Sequence, residues 1–87
     1  MPRFYAYLLR CSDGSLYCGS TDNLDRRLAL HNSGKGSKCV RSRLPAALAY
    51  KEWFSSRAAA MRREREIKGL SKKEKEGLVS GKRKGLP

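Results

Sequence analysis

Tyr5-Ala6-Tyr7 and Tyr17-Cys18-Gly19 lie on either side of Ser12-Asp13-Gly14, and how the two runs pair decides the fold. Residues 4–10 are aromatic and aliphatic, and residues 15–19 form a second short run. A Ser-Asp-Gly turn signal between two such runs predicts a β-hairpin. Loop length sets the register. A two-residue Asp-Gly loop pairs Leu8 with Gly19 and sends Tyr7 and Tyr17 to opposite faces. A three-residue loop, a type I turn with Gly14 in the left-handed position, pairs Tyr7 with Gly19 and Leu9 with Tyr17. The second register is the expected one. It makes Tyr7 and Tyr17 diagonal neighbours on one face, about 7–8 Å apart at the backbone. Glycine opposite Tyr7 then leaves space beside the ring for a substrate. Ordinary cross-strand packing is the other use of such a pair.

The 87 residues suit one domain, expected over residues 1–81, with a basic, disordered tail over 82–87. A chain this short buries about 60–65% of its unfolded surface, so the core is small and a site is expected at the surface. Cys11, Cys18 and Cys39 are odd in number and lack CxxC spacing. That argues against a disulfide framework or a zinc site and favours a reducing cytoplasm. No apolar run approaches the roughly 20 residues of a membrane span, and no signal peptide is visible. Lys and Arg number 20 against 8 Asp and Glu, a net charge of +12. The balance is uneven: 4 basic against 3 acidic residues in 1–34, and 16 against 5 in 35–87. A polyanion partner follows, nucleic acid before an anionic membrane.

Beyond the hairpin, Asp22 is read as the cap of a helix that runs to Asn32 and ends at Asn32-Ser33-Gly34. Leu24 and Leu28 make its apolar stripe, and Arg27 and His31 fall on that stripe. An arginine on an inward stripe either pairs or lines a site. Gly34-Lys35-Gly36-Ser37-Lys38 lacks P-loop spacing; it suits a phosphate contact or a solvated loop equally. One helical turn is expected at Cys39–Ser42. Pro45 then precedes a strand over Ala47–Phe54, which suits an edge or first position. Ser55-Ser56 caps a helix over Arg57–Lys68 that stops at Gly69, and Ser71 with Glu74 is a capping box for a helix over Lys72–Ser80. The order β-β-α-(turn)-β-α-α predicts an α+β domain, a three-stranded antiparallel sheet with flanking helices.

Two acids compete on the long helix. Glu64 has Ala60 and Met61 one turn back and Ile67 one turn on, so it sits on or beside the apolar stripe. Glu66 has Arg62 and Arg63 behind it and Gly69 ahead, a polar surface. A carboxylate near an apolar stripe is costly unless it is paired or binds a metal. A salt bridge to Arg27 or Lys68 is the structural alternative.

Together these residues resemble the GIY-YIG nuclease family in its small single-domain, UPF0213-type form. The two namesake tripeptides match Tyr5-Ala6-Tyr7 and Tyr17-Cys18-Gly19. The family's helix arginine matches Arg27, and its frequent His-Asn matches His31-Asn32. Gly34-Lys35-Gly36-Ser37-Lys38-Cys39-Val40-Arg41 matches the Gly-x-Gly-x-Lys stretch of small members, and Arg63-Glu64-Arg65-Glu66-Ile67-Lys68 matches their Arg-Glu-x-x-Ile-Lys. The first tripeptide lacks glycine and isoleucine, Cys39 and Val40 replace an aromatic and a threonine, and no residue matches the C-terminal asparagine of larger members. The resemblance implies a cytoplasmic endonuclease that hydrolyses phosphodiester bonds in nucleic acid, DNA before RNA, selected by structure rather than sequence. A weakly active or inactive nucleic-acid-binding module of the same fold is the alternative. The resemblance also implies catalytic residues Tyr7, Tyr17, Arg27, His31 and Glu64, with a single Mg²⁺ or Mn²⁺ on Glu64. Tyr7 would be the base, its pKa lowered by Arg27 or the metal, and Tyr17 would orient the water. Lys35, Lys38, Arg41 and Lys68 would contact the nucleic acid. A monomer without membrane contact is assumed.

Overall fold

The hairpin turn closes as a hydrogen-bonded Cys11–Gly14 turn: the Gly14 N–H donates to the Cys11 carbonyl at 2.9 Å, and Gly14 takes φ +87°. Only glycine adopts that angle without strain. The expected three-residue register follows, with Tyr7 opposite Gly19 and Leu9 opposite Tyr17. The computed structural model describes residues 3–81, at Cys39 the backbone alone, so the expected 82–87 tail lies outside the described residues.

Strands β1 (Phe4–Arg10), β2 (Leu16–Thr21) and β3 (Ala47–Phe54) form one antiparallel sheet in the order β2-β1-β3. The helices are α1 (Leu24–Asn32), the single turn α2 (Lys38–Arg41), α3 (Arg57–Lys68) and α4 (Lys72–Ser80). The fold is α+β, as expected, and β3 is an edge strand as Pro45 suggested.

Because β1 is central, its alternating side chains feed two cores. Ala6 and Leu8 pack with Cys18, with Ile67 of α3 and with Leu78 of α4. Tyr7 and Leu9 pack on the other face with Tyr17, with Leu24 and Leu28 of α1 and with Val40 of α2. The sheet is thus a middle layer, with α3 and α4 on one side and α1 and α2 on the other. Full burial of Leu8 or Ile67 stabilises the fold by roughly 1.5–3 kcal/mol each.

Local chemistry sets the boundaries, with three departures from the sequence reading and one feature it did not address; the first departure is α2, which runs over Lys38–Arg41 rather than Cys39–Ser42. The cap of α1 is Asn23, whose side chain accepts from the Arg26 N–H at 3.0 Å, not Asp22. Asp22 instead faces Arg26 and Arg57, each at 3.9 Å. Two adjacent good caps make that boundary ambiguous by one residue. Met61 lies off the apolar stripe of α3, 46% exposed, and Ala60 and Ile67 carry the stripe alone. Between Leu8 and Leu9 the β1–β3 register slips: Leu8 pairs with Tyr50, but Leu9 pairs with Leu48. The extra residue, Ala49, is a bulge that brings Leu48 to the Tyr7–Leu9 face. The Ser56 cap of α3 and the Ser71–Glu74 capping box of α4 form as expected.

Candidate active site

Tyr7 is 1% exposed, and its ring lies across Gly19. A Cβ at Gly19 would stand 2.5 Å from the Tyr7 hydroxyl, so only glycine permits this placement. The space expected to admit a substrate beside Tyr7 is filled by the tyrosine itself. Its hydroxyl is aimed toward β2, 3.5 Å from His31 Nε2. His31 is 2% exposed, and Tyr17 meets it edge-on with ring centroids 5.4 Å apart. Tyr7, Tyr17 and His31 therefore form one cluster, largely interior rather than at the surface.

His31 is held from the far side by the α1–α2 loop. A Cβ at Gly36 would be 2.3 Å from His31 Nδ1, so the backbone of this loop lies directly on the imidazole. Nδ1 is buried and has no hydrogen-bond partner among the described residues. Sequence spacing gave no sign of this contact, which joins a helix residue to a loop glycine. It also gives the glycine-lysine loop a structural role, while Lys35, Lys38 and Arg41 stay exposed on the same side. Asn32 is a further residue that reasoning on the helix end missed. Its side chain accepts from the Ala46 N–H at 2.8 Å and donates to the Ala46 carbonyl at 2.9 Å. Ala46 is buried, so this pair satisfies backbone groups that water cannot reach and clamps the end of α1 to the start of β3.

Arg27 is half-buried on the stripe that the periodicity indicated. It lines a cavity of about 20 Å³, room for one water, with Tyr7, Leu9, Leu28 and the bulge-shifted Leu48. Its guanidinium makes no ion pair or hydrogen bond among the described residues, and its charge acts on Tyr7 and His31. The two effects differ. Burial, reinforced by Arg27, pushes His31 below its usual range, which keeps it neutral at neutral pH. For Tyr7, burial raises the pKa more than Arg27 lowers it, and the phenol stands at about 12. Arg27 does lower the Tyr7 phenol, as expected, but desolvation raises it more.

Glu64 approaches from α3, on the opposite face of the sheet. Its Oε1 accepts from the Ser20 hydroxyl of β2 at 2.6 Å, and its Oε2 meets the Lys68 ammonium at 2.7 Å. The Cys18 thiol donates to the Glu64 carbonyl at 3.6 Å, which holds this turn of α3 on β2, and burial raises that thiol to about 11. The Glu64 side chain is 19% exposed. Burial alone would raise its pKa, but the bonds from Lys68 and Ser20 outweigh that and leave it lowered. It is ionised at neutral pH, and its charge reaches Tyr7. Of the two bridges open to Glu64 in the sequence, the one to Lys68 forms. Lys68, expected on the nucleic acid, is engaged by the carboxylate here. Glu66 pairs with Arg63 at 3.0 Å on the polar side of the helix. No cluster of three or more His, Cys, Asp or Glu side chains suited to a metal occurs among the described residues.

The geometry thus brings Tyr7, Tyr17, Arg27 and His31 to one face of the hairpin and sets Glu64 against Ser20 on the other. Among the described residues no helix is long and apolar enough to cross a membrane. A family model described as the GIY-YIG catalytic domain matches residues 3–77. A UPF0213 protein of Staphylococcus haemolyticus is 49% identical over 79 residues, covering 91% of this chain and 96% of that protein. One from Natronomonas pharaonis is 50% identical over 76 residues, covering 87% and 89%. The solution structure of a UPF0213 protein from Bacillus halodurans superposes with a TM-score of 0.58 at 49% identity, covering 90% of this chain and 83% of that one. That of an E. faecalis protein gives 0.62 at 38% identity, covering 92% and 85%. With a catalytic-domain match over most of its length and small single-domain relatives of near-equal size, the chain belongs to the GIY-YIG family, among its UPF0213 members.

Proposed function

We propose that the chain is a metal-dependent endonuclease that hydrolyses phosphodiester bonds in nucleic acid, DNA before RNA, chosen by structure rather than sequence. The observation that carries this reading is Arg27, a half-buried guanidinium without an ion pair among the described residues, lining the same small cavity as Tyr7 and acting on it by charge. A cation kept partly from water without a partner is costly. A phosphate supplies the missing partner in a bidentate fork, which fixes its non-bridging oxygens.

Glu64 suits a single Mg²⁺ or Mn²⁺. Its oxygens are hard donors, it is ionised at neutral pH, and Lys68 already stands as a cation at Oε2. Mg²⁺ takes one or two carboxylates and keeps several waters, so a lone glutamate is sufficient. Such an ion would polarise the scissile phosphate and ease departure of the leaving oxygen. Ser20 fixes Oε1, and Lys68 must release Oε2 and becomes free to meet the nucleic acid.

Tyr7, pushed up to about 12 by burial, keeps its proton at neutral pH. Its partner makes it a relay. The attacking water passes a proton to the Tyr7 hydroxyl as Tyr7 passes its own to Nε2 of neutral His31. Tyr17 holds the imidazole edge-on in this position. Lys35, Lys38 and Arg41 offer exposed charge to the flanking backbone.

A second reading, a weakly active or inactive nucleic-acid-binding module, is favoured by the Lys68–Glu64 pair, which closes the carboxylate. Labelled branched, nicked, single-stranded and duplex substrates, incubated with Mg²⁺, Mn²⁺ or EDTA, separate the two. Cleavage that needs the metal supports the first. Binding without cleavage in every condition supports the second.

A further inference from the structure

The face of the sheet that carries Tyr7 is only partly roofed. Helices α1 and α2 cover Tyr7, Leu9 and Cys11. Toward the start of β1 the same face continues through Tyr5, and Tyr5 pairs across the strands with Trp53 of β3. Trp53 is the chain's single tryptophan and is 57% exposed. An indole buries about 150–250 Å² when it packs, so one left open on an edge strand forgoes much of that gain. The Arg3 guanidinium stands over the indole, 4.8 Å from the ring centroid. Lys51, two residues back along β3 and directly opposite Tyr7, is exposed. Between Tyr5 and the start of α1 lies an open hollow of about 250 Å³, lined also by Asp22, Asp25 and Lys51.

We propose that Trp53 and Tyr5 form a stacking platform for unpaired bases, so that the chain takes nucleic acid with a single-stranded stretch beside the reacting phosphate. Three observations favour this occupant. The exposed indole offers a flat face, and every base can stack on it whatever its sequence. Arg3 and Lys51 flank it with positive charge suited to the strand's phosphates, on a chain of net charge +12. The carboxylates of Asp22 and Asp25 repel phosphates but accept from the amino edges that unpaired bases expose. Bases inside a duplex are stacked on one another and cannot reach the ring. Tyr5 lies two strand residues from Tyr7, about 7 Å, or two stacked-base rises, so the platform is continuous with the Arg27–Tyr7 site.

The inference rests on the nuclease reading for the position of the strand, but its test needs no cleavage. Emission from the single tryptophan reports on the platform directly. In EDTA, a short single-stranded oligodeoxyadenylate or its RNA counterpart should quench that emission saturably, and a blunt duplex of equal phosphate concentration should not. Trp53→Ala should weaken single-strand binding about 5- to 150-fold, the loss of one stacked base, and leave duplex binding unchanged. Trp53→Tyr should restore most of it. If Trp53→Ala fails to fold, the wild-type quenching decides alone. Emission unchanged at saturating single strand, equal quenching by duplex, or wild-type single-strand affinity in a folded Trp53→Ala variant would overturn the proposal. Quenching in EDTA, with no cleavage of the same strand once Mg²⁺ or Mn²⁺ is supplied, would leave the platform standing and remove the nuclease reading instead.

Discussion

At the scale of single residues, the site depends on two glycines as much as on its polar side chains. Gly19 was legible: once the turn length is set, it falls opposite Tyr7. Gly36 was not, because its contact with His31 depends on how a loop folds back over a helix. Gly36→Ala drives a methyl group into the buried imidazole, which must leave Nε2's position beside Tyr7. The expected cost is about 1–3 kcal/mol of stability, read from thermal melts. If the Tyr7–His31 relay operates, cleavage per folded molecule falls at least tenfold. The pKa values lay beyond the sequence because they depend on burial: Arg27 was identifiable, but not the desolvation that outweighs it at Tyr7. His31 gives a pH signature. Its folded pKa is lowered, and in the unfolded chain it titrates near 6.5. Between those values the unfolded chain binds more protons, so this contribution is complete above about pH 6.5 and is lost as pH falls toward the folded pKa. Melting temperatures measured from about pH 7.5 down to 5.5 should decline through that window. A His31→Gln variant should show a flatter profile over the same range.

At the scale of elements, the strands and helices could be read almost residue by residue, because periodicity, caps and turn residues agree locally. The failures came where two signals competed or none existed. Asp22 and Asn23 are both good caps, and the geometry uses Asn23. The bulge at Ala49 has no glycine to announce it, yet it brings Leu48 to the wall of the Arg27 cavity. The clamp from Asn32 to Ala46 holds α1, and hence Arg27 and His31, against the sheet. Asn32→Ala leaves a buried N–H and a buried carbonyl without their partners. A loss of about 2–4 kcal/mol is expected in chemical denaturation, at about 1–2 for each unsatisfied group. Cleavage should fall beyond what unfolding explains, and a denaturation midpoint equal to wild type would show that α1 is held by its apolar stripe alone.

At the scale of the whole molecule, the sheet is a partition. One face carries the hairpin tyrosines, Arg27 and His31, the other carries α3, and Glu64 meets β2 through Ser20. That Tyr7 and Tyr17 share a face was legible from alternation and turn length, and the Lys68 bridge to Glu64 from its i,i+4 spacing, but the packing of α3 on the opposite face and the Ser20 bond were not, because they depend on where α3 crosses β2. The excess of basic residues in 35–87 should dominate non-specific binding. With about six phosphate contacts, log affinity against log salt should have a slope near −5, measured by anisotropy. A slope flatter than about −2 would mean that most of this charge is uninvolved. The central claim is that Arg27 and Glu64 complete one hydrolytic site. The most direct measurement is Mg²⁺-dependent cleavage per folded molecule by wild type, Arg27→Ala, Glu64→Gln and Glu66→Gln, with melting and binding measured on the same preparations. Wild type and Glu66→Gln should cleave alike, and Arg27→Ala and Glu64→Gln should lose cleavage at least about 10²-fold while remaining folded and bound to nucleic acid. Folded Arg27→Ala and Glu64→Gln variants that cleave at the wild-type rate would contradict it.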